Sequence, residues 1–301
     1  MKISSHQIAA FTEVFRRRSV SEAAAVLGVT QSAVTQHLAK LEQHMGTTLF
    51  IRHRSGLEPT KPAQELFALT DRVRVLEQLV AEKVNAYSDL LAGHMTVIAN
   101  APRPAMPIIS EFNRRFPAVR ITFSLAPWEL AKRRLEARDV DIAVITEPDD
   151  IASLFHMELS KTRLMALVRR EHRLARKETL SLAELAQERI ILTEDGSLTL
   201  REVEKACVEN SINMPNIIKM ATYPVLKEAV LHGIGIGILL QDSVFPTEEL
   251  VYKAVDELGI DFKTYVVTTS DKRRLRFVKS FFETVEIFIE NQPSAIRRSA
   301  D

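Results

Sequence analysis

Gln31, Ser32, Thr35 and Gln36 are the residues whose types and spacing best fit chemistry on a partner. On a helix they share one polar face, because positions three and four apart stack above one another. A glutamine amide matches adenine N6 and N7, a serine or threonine hydroxyl gives or takes one bond, and a methyl packs on thymine. Ala39 and Lys40 continue that face, with Lys40 a turn further on and placed for phosphate. No carboxylate interrupts it before Glu42. Arg52, His53 and Arg54 make a second, basic group suited to backbone or minor-groove contact. Polar helix faces are common, so the outward set taken alone also suits an ordinary three-helix bundle.

Other chemistry finds no comparable set. There is no Gly-x-Ser-x-Gly elbow and no His-Glu-x-x-His pair, so no enzyme is expected. His37 and His44 stand seven apart without metal-ligand spacing, and neither a metal nor a cofactor is expected. Gly233, Gly235 and Gly237 follow an apparent helix and precede a strand, the reverse of a phosphate cradle, and read as a tight turn. Asp139 and Asp141 resemble paired carboxylates but alternate about a strand, which suits a structural turn. The single cysteine, Cys207, excludes a disulfide scaffold and a four-thiolate zinc site and is expected to be a buried structural thiol.

The elements that must hold the polar face can be read from apolar spacing. Ile8, Phe11, Val14 and Phe15 stripe one helix; Ala23, Ala24 and Leu27 stripe a second, with Ser19 and Glu22 as a capping box. Gly28 ends it and Thr30 caps a third, whose buried stripe is Val34, Leu38, Leu41 and Met45, closed by Gly46. The second and third helices form a helix-turn-helix, in which one face packs and the other lies in the major groove. Thr47 to Arg52 reads as a strand, Arg52 to Gly56 as a basic hairpin tip and Leu57 to Thr60 as the return strand of a wing.

From Pro62 to Leu91 an apolar stripe runs through Leu66, Leu69, Val73, Leu76, Val80, Val84, Tyr87 and Leu91, spaced three or four apart. That is a helix of roughly 45 Å at 1.5 Å per residue, with one seam and no core of its own. A second copy of the chain covers it most economically, and the homodimer then implies partly palindromic double-stranded DNA. The other reading lays this helix on the chain's own C-terminal domain.

The whole chain has 301 residues, 46% hydrophobic, and a net charge of +1. Residues 1–60 carry seven Lys/Arg against four Glu, a balance of +3 that leaves −2 for the remainder. A small basic module on a mildly acidic body fits nucleic-acid binding. No apolar run reaches the ~18 residues of a membrane span. The start lacks a signal-peptide core, since Glu13 and Arg16 to Arg18 follow at once, so a cytoplasmic protein without membrane association is expected. Beyond Gly93 strands and helices alternate to the last helix at Leu275 to Ile289, which implies parallel sheets with helices on both faces.

The N-terminal residues resemble the LysR-type transcriptional regulators. The likeness runs through Phe11, Ser19, Ala23-Ala24, Leu27, Val29 to Thr35, Leu38, Leu41-Glu42, Gly46, Leu49-Phe50, Arg52 and Thr60. Two positions depart: Ser32 stands where members often carry Pro, and Thr60-Lys61-Pro62-Ala63 where many have Thr-x-Ala-Gly. The body resembles the family's two-lobed, periplasmic-binding-protein-like effector domain, most closely at Phe112 to Pro117, Asp139 to Val144 and Gly233 to Ile238. The resemblance implies an α/β protein with a winged helix-turn-helix over 1–60, a dimerising linker helix over 61–91 and an effector domain over 92–301. One lobe is expected at about 92–162 with 267–301, the other at about 163–266. It also implies a small-molecule effector and a dimer of dimers, that is, a homotetramer.

In parallel sheets ligands sit beyond the carboxyl ends of strands, facing helix N-termini. That rule selects Asn100, Arg103, Trp128, Thr146 and Glu147 in one lobe and Thr193, Ser197, Thr199, Thr222 and Tyr223 in the other. Arg103 beside a helix start suits a carboxylate or phosphorus oxyanion, which makes an anionic metabolite the expected effector. The alternative is an architectural DNA-binding protein whose body only supports assembly.

Overall fold

The computed structural model describes residues 3–53, 56–84, 93–148, 150–245 and 247–291. The chain forms two compact units, Met1–Asp89 with Glu136–Asp139, and Leu90–Leu135 with Val140–Asp301.

In the first unit α1 (Ser5–Arg17), α2 (Val20–Leu27) and α3 (Gln31–Met45) precede a two-stranded wing, β1 (Phe50–His53) and β2 (Gly56–Pro59), and the long α4 (Lys61–Val84). Gly28 and Gly46 stop α2 and α3 at φ +66°, a conformation that carries no penalty without a Cβ. Thr30 caps α3 by accepting from Ala33 N–H at 3.2 Å. At Ser19 the serine half of the expected capping box is made, to Glu22 N–H at 3.3 Å; full boxes join Ser4 with Gln7 and Ser181 with Glu184. Met45 is a correction to the expected stripe: it is 38% exposed, because the last turn of α3 runs past the core. The wing strand starts at Phe50 rather than Thr47, since the Thr48 and Leu49 carbonyls turn toward the Thr60 hydroxyl.

The core of this unit joins Phe11, Val14, Phe15, Ala23, Val34, Leu38, Leu41, Leu49 and Phe50 with Ala63 and Phe67 of α4. Phe67 stacks on Phe15 with ring centroids 3.9 Å apart, so the start of α4 is part of the winged-helix core. Asp71, fully buried one turn on, receives Arg74 Nε at 3.2 Å and Arg138 Nε at 3.0 Å, with Arg16 Nη2 at 3.6 Å. A carboxylate without water needs such partners.

The other face of α4 stays open. Leu69, Leu76 and Val80 are each about 60% exposed, Val73 and Val84 are exposed with them, and Leu66 is half-buried against the core. Tyr87 and Leu91, the last seam positions, lie outside the described residues. The helix therefore has two apolar faces, one filled and one bare.

The second unit opens with β3 (Gly93–Ala99), α5 (Pro102–Arg115), β4 (Val119–Leu125), α6 (Trp128–Glu136), β5 (Ile142–Thr146) and a 15-residue β6 (Phe155–Arg169). There follow β7 (Thr179–Leu180), α7 (Leu182–Leu185), β8 (Ile190–Thr193), α8 (Leu198–Glu209), β9 (Ile217–Met220) and α9 (Tyr223–Leu231). β10 (Ile236–Leu240), β11 (Leu250–Val255), β12 (Asp261–Thr268) and α10 (Arg276–Glu290) complete it. Helix α5 starts at Pro102, which at the first turn loses no hydrogen bond.

The all-parallel expectation is corrected. β3 pairs parallel with β4 and β5, and β8 with β9 and β10, but β6 and β12 run antiparallel to their other neighbours. β6 spans both lobes: residues 155–163 pair with β12 and residues 164–169 with β10 and β11. The chain is back in the first sheet by Asp261, ahead of residue 267, since β12 pairs with β6 from there on. Asp141 is structural, as expected: it accepts both the N–H and the hydroxyl of Thr96 and meets the fully buried Lys272 Nζ at 3.2 Å. The glycine turn also behaves as expected. A Cβ on Gly235 would lie 2.3 Å from Arg189 O, and one on Gly237 2.6 Å from Leu226. Cys207 is only half-buried, at the rim of the core rather than inside it.

Candidate functional site

Two surfaces gather the selected residues. On α3, Gln31, Ser32, Thr35, Gln36, Ala39 and Lys40 are all exposed while Val34, Leu38 and Leu41 are buried. Thr35 donates its hydroxyl to Gln31 O at 2.9 Å, which leaves its methyl and lone pairs for a partner. Glu42 turns away from this face and accepts Leu49 N–H at 2.7 Å, tying the helix to the wing. Arg52 and His53 are exposed on β1; His53 Nε2 lies 2.8 Å from Glu58 Oε2 across the hairpin. Arg54 lies outside the described residues. Among exposed apolar residues, Val26 and Val29 flank the turn and Ile51 sits on the wing; outward apolar positions give no signal in a pattern read for cores.

The second surface is a cavity of about 140 Å³ between the lobes. Asn100, Trp128, Thr193, Ser197, Thr222 and Tyr223 line it, six of the ten selected residues. Leu125, Ala126, Pro127, Glu194, Leu198 and Ala221 complete the lining and were missed, although Glu194 and Pro127 lie next to selected positions at strand and helix ends. Asn100 Oδ1 accepts Thr146 N–H at 3.2 Å, and its amide Nδ2 is buried without a hydrogen-bond partner. Ser197 caps α8, accepting from Leu200 N–H at 3.1 Å and from the Thr193 hydroxyl at 2.7 Å. Thr222 precedes α9 and makes no side-chain cap bond.

Four selected residues stand elsewhere. Thr146 lies behind the wall, donating its N–H to Asn100 and accepting Trp128 Nε1–H on its carbonyl at 2.6 Å. Thr199 is fully buried, with its hydroxyl 3.4 Å from Tyr223 OH. The Tyr223 hydroxyl is pushed up by burial, so it is a neutral donor. Glu147 accepts Lys263 N–H and serves the β5–β12 edge. Arg103 is turned to other partners: it donates to Gln241 O and Val244 O at 3.3 and 3.2 Å and stacks on Phe245. It borders a second hollow of about 590 Å³ with Met106 and Val225, because its reach from α5 ends on the loop after β10.

Two contacts hold the lobes over the first cavity. Glu129 N–H donates to Gly196 O at 2.9 Å, and the Arg201 guanidinium lies 4.3 Å from the Trp128 ring centre. No Lys, Arg or His lines the cavity; Glu194 is the charged residue of its lining, beside neutral donors and the N-termini of α8 and α9. Among the described residues no group of three or more His, Cys, Asp or Glu could hold a metal, and no helix is long and apolar enough to cross a membrane.

Residues 5–64 match the family described as bacterial regulatory helix-turn-helix protein, lysR family, and residues 91–287 match the LysR substrate binding domain. The chain belongs to the LysR family. It is a DNA-binding transcriptional regulator with an effector-binding domain, not an enzyme. Among LysR-family relatives, the RuBisCO operon transcriptional regulator of Allochromatium vinosum is 25% identical over 294 residues, covering 95% of this chain and 96% of that protein. YwqM of Bacillus subtilis, an uncharacterized regulator, is 29% identical over 232 residues, covering 73% and 76%. In fold, the chain is similar to full-length OxyR (a cysteine-to-aspartate variant) from Pseudomonas aeruginosa, with TM-score 0.76 at 17% identity and coverage of 95% and 98%. It is also similar to the Synechocystis CcmR regulatory domain in complex with 2-PG, with TM-score 0.58 at 22% identity, covering 67% of this chain and 99% of that one.

Proposed function

We propose that this LysR-family regulator reads a partly palindromic operator as a homodimer and responds to a small oxyanion-bearing metabolite held between the lobes of its C-terminal domain. Gln31, Ser32, Thr35 and Gln36 read base edges; Lys40, Arg52, His53 and Arg54 hold the backbone. The observation that carries the reading is the exposed face of α3, which presents hydrogen-bonding side chains and a lysine while its one nearby carboxylate is tied to the wing. Leu69, Val73, Leu76 and Val80, bare along α4 with Leu66 at the edge of the stripe, support the dimer. The proposed division is 1–60 for DNA, 61–91 for the stalk and 92–301 for the effector.

The unpartnered Asn100 amide, the Ser197 hydroxyl and two helix N-termini support an oxyanion in the cavity. The 2-PG complex of CcmR, a protein of similar fold, points the same way. Ligand-dependent lobe closure then shifts the equilibrium between assemblies by the difference in affinity for the two states. Met106, Val225 and Phe245, exposed around the second hollow, support pairing of dimers into a tetramer.

The test is footprinting of the full-length protein on genomic DNA, with light scattering for mass. A symmetric footprint that Gln31→Ala blurs, and a mass that Leu76→Glu lowers, would sustain the proposal. An undivided footprint on random DNA, or a monomer that binds as well as wild type, would end it.

A further inference from the structure

We infer that the effector held between the lobes is a zwitterion, a free α-amino acid with an apolar side chain, whose carboxylate meets Asn100 and Ser197 and whose ammonium meets Glu194. The inference rests on the cavity being the effector site and adds the ligand's charge pattern.

The donor end is built by bonds already spent. Asn100 is 5% exposed; its oxygen is committed to Thr146 N–H, and its Nδ2 hydrogens have no acceptor. Ser197, 7% exposed, accepts from both Thr193 and Leu200, which leaves its own proton to donate into the cavity it lines. The α8 N-terminus that Ser197 caps adds its positive end. A carboxylate, acceptor-only when ionised, satisfies all three.

The opposite requirement comes from Glu194. It lines the same cavity, half-buried, and no ion pair or hydrogen bond engages its side chain among the described residues. Its neighbour Asp195, by contrast, is engaged by Lys219. With no Lys, Arg or His in the lining, Glu194 is the cavity's only formal charge. A ligand carrying two negative charges would meet it with no cation in the lining, whereas an ammonium answers it directly. Leu125, Ala126, Trp128 and Leu198 furnish an apolar wall for the remaining part of the ligand.

The experiment is a thermal-shift and calorimetric screen of the full-length protein with free amino acids. Each hit is compared with the carboxylic acid lacking its amine and the amine lacking its carboxylate. At least one apolar amino acid should raise the melting temperature, and both truncated analogues should bind at least tenfold more weakly. Glu194→Gln should weaken the amino acid at least tenfold, leave the des-amino acid unchanged or tighter, and leave the unliganded melting temperature intact. Asn100→Ala should weaken both. If only des-amino acids bind and Asn100→Ala abolishes them, the cleft reading stands and the zwitterion is wrong. If an amino acid binds equally to Glu194→Gln, the inference also fails. No shift with any amino acid or acid overturns both.

Discussion

The proposed reading face of α3 and the proposed effector cavity between the lobes solve opposite problems. The face draws its residues from one ten-residue stretch, and all of them are exposed. Its rigidity comes from behind, where Phe11, Val34, Leu38 and Phe67 pack. The cavity collects Asn100, Trp128, Ser197 and Tyr223 from four separate segments and buries them; Asn100, Trp128 and Tyr223 are held by partners far away in sequence, and Ser197 by Thr193 and Leu200 beside it. A surface that must match a regular duplex can be written along one helix. A site that must enclose a small molecule has to be closed from several sides.

The largest effects should come from the cores that support the contrast. Phe67→Ala removes a fully buried ring stacked on Phe15 and should cost about 3–5 kcal/mol of winged-helix stability by denaturant titration. Leu76→Ala, on the bare side of the same helix, should leave the winged-helix core intact and act through the proposed dimer instead, weakening subunit association as read by light scattering. Equal losses would show that α4 has no division of faces. Asp71→Ala removes the buried carboxylate that meets Arg74 and the buried Arg138 and belongs with Phe67→Ala, at about 3–5 kcal/mol.

DNA contacts come next. Gln36→Ala should lose about 1–3 kcal/mol of discrimination at one base pair, measured by anisotropy on single-base operator variants. Lys40→Ala should weaken all sequences alike and lower the salt slope by about 1. If the two variants gave the same profile, the split between reading and anchoring would fall.

A smaller effect separates the lobes' own chemistry. Burial raises Asp242 above its ordinary 3.8, against the nearby Thr162 and Arg103. A carboxyl raised in the folded state favours folding most below its unfolded value, and that contribution is lost as pH climbs through the folded value. Wild type should therefore lose stability relative to Asp242→Asn as pH rises from about 4, and the variant should be at least as stable at pH 7. A gap that widened toward low pH would contradict this. The smallest is at Cys207, whose thiol is pushed up mainly by burial, with Glu204 and Glu257 adding to it. It should react with disulfide reagents more slowly than free cysteine at pH 7.

How much could be read in advance differs between the regions for a physical reason. Val34, Leu38 and Leu41 announce the inner face of α3, so the outer face follows by subtraction, and local caps such as Thr30 and Gly28 set its ends. Met45 misled because periodicity does not show where a core stops. In the lobes the strand-end rule selected Asn100, Trp128 and Ser197, which line the cavity, and Arg103 and Glu147, which do not, since it places the backbone and not the side chain's destination. The 15-residue β6 and the antiparallel β12 were hidden too: apolar alternation is the same whichever way a partner runs.

The amino-acid order by itself determined what is local here: the caps, the two faces of α3, the stripe along α4 and the succession of strands and helices. Tertiary structure alone decided which half of that stripe would be bare, where the chain crosses between lobes, and that Asn100 and Glu194 would face one enclosed space. Helical periodicity and capping act over three or four residues, whereas a cavity depends on bonds such as Asn100 to Thr146 and Glu129 to Gly196, which only the folded chain can bring within reach.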